Sequence, residues 1–385
     1  MDSGSDFLKT PVFIVIFLFL FVSLFLFTHK KGKIISNKLL GSLFLCYGLW
    51  VFDLYAAFYL YVDYPYMAYI FNNLLWLLGP CLLLYTQSVI YKDFRLRKKH
   101  LLHAIPFFLF VLLSIFTFHI QPIDFKRKYI EHVLADQSIL IWGSSSVILA
   151  YVLTYIIVAF RTILRYQDVL TNMVSNAEKI RLSWLKFMLI GSFVIFFSLI
   201  IVVLNQYFRW EKSMPVGLMY LYIFLLFIFI TTTLFKSLKQ PEIFSGISTD
   251  EEQTVSKYPA SSLTEEDSNK IRDQLTHFMK SDKPYLDPDL SLKNLAQKLD
   301  LNARDLSQVI NNNIGLRFFD FVNKYRIQDA ASLIDNPPDP KITILEIMYD
   351  VGFNSKSSFN SAFRKFTGTT PSEFKNKSRN IRRAT

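Results

Sequence analysis

The stretch PVFIVIFLFLFVSLFLF, residues 11–27, contains no charge and a single hydroxyl. It is apolar on every face, so it has no polar stripe with which to meet water as a surface helix would. A retained membrane helix fits it better than a secretory signal. Only Lys9 precedes it, the basic cluster Lys30, Lys31 and Lys33 follows it, and it exceeds the apolar segment of about 7 to 15 residues in a signal peptide. Six more stretches of the same character occupy 39–62, 67–91, 101–120, 139–160, 185–208 and 214–235, and none follows. About 20 helical residues cross the hydrocarbon core of a bilayer. Within lipid each span must satisfy its own backbone, which a single segment does only as a helix. Gly79-Pro80 inside the third stretch therefore reads as a kink.

The composition of the 385 residues agrees: 52% are apolar, 38 are Phe, and only 19% are charged. This is the opposite of a disordered chain. Two cysteines, Cys46 and Cys81, exclude a disulfide framework. The net charge of +11 divides informatively. Residues 1–235 carry 20 basic and 11 acidic side chains, and residues 236–385 carry 22 and 20. Most of the excess thus lies among the apolar stretches, where basic residues set orientation. Connections one–two, three–four and five–six hold fourteen Lys and Arg, and the opposite side holds six. The N-terminus is expected outside, with everything after the seventh span in the cytoplasm.

Residues 1–240 are therefore expected to form a seven-helix membrane domain. Residues 241–263, rich in Ser, Thr, Glu and Asp, read as a flexible cytoplasmic linker of roughly 25 Å end-to-end reach. Helical signals then resume. Thr264 with Asp267 is an N-cap pattern, and Leu292, Leu295, Ala296 and Leu299 recur with helical spacing. Asn302 caps a further helix with Leu306, Val309 and Ile310 inward, which ends near Gly315. Phe318, Phe321, Val322 and Tyr325 begin a longer helix that stops before Pro337-Pro338. The pattern then repeats. Ile344, Ile347, Met348 and Val351 form an apolar face, and Gly352 permits a turn. Asn354 or Ser355 caps a helix with Phe359, Ala362, Phe363 and Phe366 inward, Gly368 ends it, and Thr370-Pro371-Ser372-Glu373 is a capping box opening a last short helix. The fold class expected is all-α: a seven-transmembrane bundle followed by a helical domain with two helix-turn-helix units. From residue 341 onward nine basic residues face three acidic ones, a local excess suited to phosphates. On spacing and charge alone, a basic tail on an adaptor bundle is the alternative.

The runs Ile344-Leu-Glu-Ile-Met-Tyr-Asp-Val-Gly-Phe353, Phe363-Arg-Lys-Phe and Gly368-Thr-Thr-Pro371-Ser-Glu-Phe374 resemble the second helix-turn-helix of AraC-type transcription regulators. The upstream run with Leu292, Ala296, Leu306-Ser-Gln-Val-Ile-Asn311, Gly315, Phe318 and Tyr325-Arg326 is similar to that family's first unit and linker helix. Three positions depart from the family's usual pattern: Met348, Ser358 and Ser361. The resemblance spans a little over a quarter of the chain. It implies a DNA-binding domain at 264–380, followed by a basic tail at 381–385, with both recognition helices on one face in successive major grooves about 34 Å apart. Membrane helices ahead of such a domain resemble a membrane-anchored bacterial subgroup, which implies an inner-membrane location.

The residues opposite each apolar face are the candidate DNA readers: Arg304, Ser307, Gln308 and Asn311 in the first unit, and Lys356, Ser357, Asn360, Ser361 and Arg364 in the second. Asn360, Gln308 and Asn311 have the amide geometry that pairs with adenine, and Lys356 suits guanine. Arg364 and Lys365 lie further along and suit phosphate. Asp53, inside the second apolar stretch with Asn72 or Asn73 as a partner, is either an intramembrane ligand or proton site or a hydrogen-bonded packing residue. No metal or cofactor is expected: the six His share no metal-ligand spacing, and no phosphate loop or nucleophile elbow occurs. The expected partners are double-stranded DNA, the lipid bilayer, an unidentified signal ligand or protein and, as a further option, a second copy in a homodimer. The reading is a non-enzymatic transcription regulator. The alternative is a transporter or membrane enzyme with a regulatory cytoplasmic domain.

Overall fold

The computed structural model describes residues 3–29, 33–91, 93–135, 139–175, 182–208, 216–239, 263–339 and 341–384. The chain divides into two compact units: Met1–Ile163 with Ser183–Thr249, and Leu164–Leu182 with Asp250–Thr385. The described residues are helical throughout apart from turns and one isolated antiparallel bridge, between Val174 and Ser291.

In the first unit the helices are α1 (Ser3–Thr28), α2 (Ile34–Tyr59), α3 (Leu75–Ile90), α4 (Ile105–Ser114), α5 (Ile123–Ala135), α6 (Ile139–Thr171), α7 (Ser183–Phe208) and α8 (Val216–Lys239). Seven segments are long and apolar enough to cross a bilayer, and they fall on the seven stretches read from the sequence. α2 packs between α1 and α3, and α8 packs on α1 and α7. Large apolar side chains remain uncovered, including Phe17 at 63% and Phe108 at 64% exposure, a distribution suited to lipid rather than water. At Gly79 an added Cβ would lie 2.8 Å from Tyr155 of α6, so only glycine lets the two helices meet there.

Three departures from the sequence reading are instructive. The third span is not one kinked helix: short 3₁₀ turns at Pro65–Met67 and Asn72–Leu74 precede α3, and Pro80 lies inside an unbroken helix. Tyr69 takes φ 65°, and the Asn73 side chain donates to its carbonyl, which holds the turn. The connection between the fourth and fifth apolar stretches contains α5. Ile130 of that helix is buried with Ala56, Tyr61, Ala68 and Phe118, while Asp124, Arg127, Lys128 and Glu131 are exposed. The helix of the fifth apolar stretch, α6, also runs past residue 160 to Thr171.

The second unit contains α9 (Glu265–Ser281), α10 (Leu292–Lys298), α11 (Ala303–Gln308), α12 (Phe318–Asp335), α13 (Ile344–Asp350), α14 (Lys356–Thr367) and α15 (Pro371–Ala384). The expected caps form: Thr264 accepts from the Asp267 amide, and Asn302 accepts from the Arg304 amide at 2.9 Å. Thr370 and Glu373 exchange capping bonds, and Thr343 with Glu346 makes a second capping box that the sequence reading passed over. α15 extends to Ala384, so the last helix is not short and the residues assigned to a tail, up to Ala384, are helical. The linker read at 241–263 lies outside the described residues except Leu263, which packs on the first of two cores. α12 supplies both cores: Phe318, Phe321 and Val322 enter one, and Ile327, Ala330 and Ile334 enter the other. One helix thereby holds two pairs of short helices, α10–α11 and α13–α14, in a single unit.

Candidate nucleic-acid interface

α14 shows how the local sequence makes an exposed polar face. Phe359, Ala362 and Phe363 turn inward and are buried, and Phe353, Phe359 and Phe363 stack edge to face at 5.3 and 5.6 Å. The intervening positions Lys356, Ser357, Asn360, Ser361, Arg364 and Lys365 are all exposed. Ser355 occupies the N-cap position without a capping bond, and its hydroxyl instead pairs with Ser357 at 3.0 Å. Met348, where the resemblance led one to expect a smaller residue, is accommodated in the second core at 1% exposure.

The turn before α14 is fixed sterically. Gly352 has φ +88°, and a Cβ there would approach the carbonyl oxygens of Leu286 and Tyr285 to 2.7 and 2.8 Å. The turn of the second pair is thus pressed against the loop that precedes α10.

Lys365, read as a phosphate contact, places its ammonium 2.5 Å from Asp320 of α12. The Lys365 side chain is still 54% exposed in this pair, and Arg364 is a second outward cation of the same turn. Lys375 likewise donates to the Ile342 carbonyl at 2.7 Å.

The first pair differs from its reading. Ser307 is buried at 3% exposure, and its hydroxyl receives a bond from the Asn311 amide at 3.3 Å. Ser307 is therefore not an exposed reader. Ala303 and Ile310, four residues before it and three after, pack on the core, so Ser307 shares their side of the helix. Asn311 is exposed, and Arg304 and Gln308 are half-buried. α11 ends at Gln308 and continues as a π turn, Val309–Asn313, closed by the Ile314 amide on the Val309 carbonyl. The wider turn rotates Asn311 away from an ideal helical register.

Among the described residues no group of three or more His, Cys, Asp or Glu is placed to hold a metal ion. Asp53 is buried and accepts from the Tyr61 hydroxyl at 2.5 Å, with the backbone amides of Phe71 and Asn72 bonding the same carboxylate. Its partner is thus the Asn72 backbone and not an Asn side chain. Asn73 bonds Tyr69 and Ser114 instead.

Comparison with known proteins agrees with the architecture of the second unit. Residues 295–377 match the family described as helix-turn-helix domain. The Msm operon regulatory protein of Streptococcus mutans serotype c is 25% identical over 126 residues, which cover 33% of this chain and 44% of that protein. The chain thus spans less than half the length of that curated relative. Among solved structures, the C-terminal domain of AraT, a response regulator from Geobacillus stearothermophilus, is 26% identical over 30% of this chain and 88% of its own, with a TM-score of 0.24. A protein of unknown function from Listeria innocua is 25% identical over 28% of this chain and 94% of its own, also with a TM-score of 0.24. The C-terminal part of this chain carries a helix-turn-helix domain of the kind found in DNA-binding transcription regulators. It is of AraC type.

Proposed function

We propose that this chain is a membrane-bound, sequence-specific DNA-binding transcription regulator of the bacterial inner membrane, with seven spans, the N-terminus outside and the AraC-type domain in the cytoplasm. The observation that carries the reading is α14: a helix anchored inward by three buried side chains and presenting Lys356, Ser357, Asn360, Ser361 and Arg364 outward. An outer face of this composition suits a recognition helix in the major groove. α10–α11 and α13–α14 act as two helix-turn-helix units, with Gln308, Asn311, Asn360 and Lys356 as base readers and Arg304, Ser357 and Ser361 at their margins. Arg364 binds phosphate. The uncovered apolar faces of α1 and α4, together with the asymmetry of basic residues between alternate connections, support the membrane and its orientation. A signal ligand or partner protein at the bundle would then bias DNA binding.

The test is genome-wide mapping of DNA bound by the full-length protein in its membrane. Discrete sites sharing a sequence are expected, and they should vanish with Lys356→Ala/Asn360→Ala. Binding without discrete sites, or solute flux that survives deletion of 263–385, would favour a transporter with an accessory domain.

A further inference from the structure

The second unit is built from two separated pieces of chain: beside 250–385 it includes Leu164–Leu182, the end of α6 and the start of its connection to α7. The pairing between the pieces is specific. The Ser175 amide donates to the Leu290 carbonyl at 3.3 Å, and the Leu292 amide donates to the Met173 carbonyl at 3.0 Å. These bonds flank the antiparallel bridge between Val174 and Ser291.

Arg326 of α12 seals the junction at 1% exposure. Its Nε donates to the Tyr285 carbonyl at 2.7 Å, and its Nη2 donates to the Asp287 carbonyl at 2.7 Å and to Ser175 Oγ at 3.2 Å. Its Nη1 faces the Ser175 carbonyl and Asn323 Oδ1, each at 3.4 Å. Burial pulls its pKa down to about 10, against the opposing effect of Asp287 and Asp289, so it remains a cation at neutral pH. A buried cation is costly unless its N–H groups are satisfied, and Ser175 supplies two of the acceptors.

Further along, Arg317 at the head of α12 pairs with Asp168 at 2.6 Å and donates to the Thr171 hydroxyl at 3.1 Å. The same Arg326 guanidinium lies 5.5 Å from the Phe353 ring. Ser175 and Arg326 share a small crevice with Gly352, Phe353 and Ser358, where the Ser358 hydroxyl is buried without a hydrogen-bond partner. Residues 168–175 therefore bond Arg317 and Arg326, at the head and middle of the helix that organises both cores, and Ser175 lines the same crevice as the turn before α14.

We propose that residues 168–175 are the regulatory handle of the DNA-binding domain: their docking on α12 and the 285–292 loop is coupled to DNA affinity. α6 is one continuous helix from Ile139 to Thr171, so a shift anywhere along it reaches Asp168 and Thr171 without passing through residues 241–262. By linkage, whatever alters docking alters DNA binding, and DNA alters docking to the same extent. This inference rests on the DNA-binding reading above.

The bridge supplies its own test. Val174 and Ser291 are a directly opposed pair flanked by the two hydrogen bonds, a position where Cα atoms stand about 4.5 Å apart, inside the range of roughly 4.4 to 6.8 Å that a disulfide spans. Full-length V174C/S291C, with Cys46 and Cys81 replaced by alanine, is oxidised in lipid nanodiscs and the linked peptides are quantified by mass spectrometry. Its Kd for a duplex carrying a mapped site is then measured before and after reduction. The expected result is near-complete linkage and a change in Kd of about fivefold or more between the two forms, a coupling of ordinary allosteric size. The reduced form of the same protein is the reference, so any folding defect of the variant is common to both arms. Failure to link overturns the docking, and equal affinity of the linked and reduced forms overturns the regulation. Absence of mapped sites overturns the DNA reading and the regulation together, while the linkage still reports on docking.

Discussion

Gly352→Ala isolates the contact between the turn of the second helix pair and the loop before α10. Two costs add at this position. A residue with a Cβ in the left-handed region pays about 1–2 kcal/mol. The new methyl group would also stand 2.7 and 2.8 Å from two backbone carbonyl oxygens, and neither can rotate away as a side chain would. Forced over-packing of this kind costs about 1–3 kcal/mol. The sum, about 2–5 kcal/mol, is a large share of the roughly 5–15 kcal/mol that holds a typical domain folded. Gly368→Ala is the internal control, because Gly368 has φ +79° but nothing within 4 Å of an added Cβ. It carries only the conformational cost, about 1–2 kcal/mol.

Tryptophan fluorescence cannot follow this unit, since none of Trp50, Trp76, Trp142, Trp184 and Trp210 lies within either of its two pieces of chain. Amide hydrogen exchange of the full-length protein, read by mass spectrometry over peptides within 344–374, reports it directly. Gly352→Ala should lower protection across α13 and α14 by about tenfold for each 1.4 kcal/mol lost, and by more than Gly368→Ala does. Equal losses from the two variants would mean that the Leu286 and Tyr285 carbonyls yield freely and that the loop does not brace the turn.

Phe359→Ala removes a ring at 1% exposure from the second core, and should cost about 3–5 kcal/mol in the same exchange measurement. Asn360→Ala should weaken binding to a mapped site by about 1–3 kcal/mol while sparing sites altered at the base it reads. Arg364→Ala should weaken all sequences alike and flatten the dependence of affinity on salt, as measured by titration over a range of ionic strength. Lowering the pH should loosen the starts of α13 and α15. Hydrogen bonds from the Thr343 and Thr370 amides and hydroxyls hold the Glu346 and Glu373 carboxyls below the usual 4.5. Their contribution is complete above that value and lost as pH falls through the depressed one. Exchange at the Thr343 amide should show this loss, and Glu346→Gln should remove the pH dependence.

Much of the architecture is legible because its signals are local. Continuous apolar stretches, Asn302 and Thr370 as caps, and phenylalanines at helical spacing each act over a few residues, and each holds in the structure. What escapes is set by contacts distant in sequence. Ser307 looks like an exposed position, yet it is only 3% exposed in the fold. Lys365 reads as an outward cation, and its ion pair with Asp320, 45 residues away, has no local signal. The end of α6 carries no motif at all: Asp168, Thr171 and Ser175 are ordinary polar residues of a connection. Their importance comes from Arg326, 151 residues from Ser175, whose buried guanidinium needs acceptors that its own neighbourhood supplies only in part. Periodicity can mark Arg326 as lying on α12, but it cannot say which carbonyls complete its hydrogen bonds. The same point bears on mechanism. If the domain were attached only through residues 241–262, a signal would have to pass through a polar, Ser- and Glu-rich sequence with no helical pattern, a poor conduit for a defined displacement. A helix that runs unbroken from an apolar span into a hydrogen-bonded junction with α12 is a better one, because its end cannot shift without moving groups on which a buried charge depends.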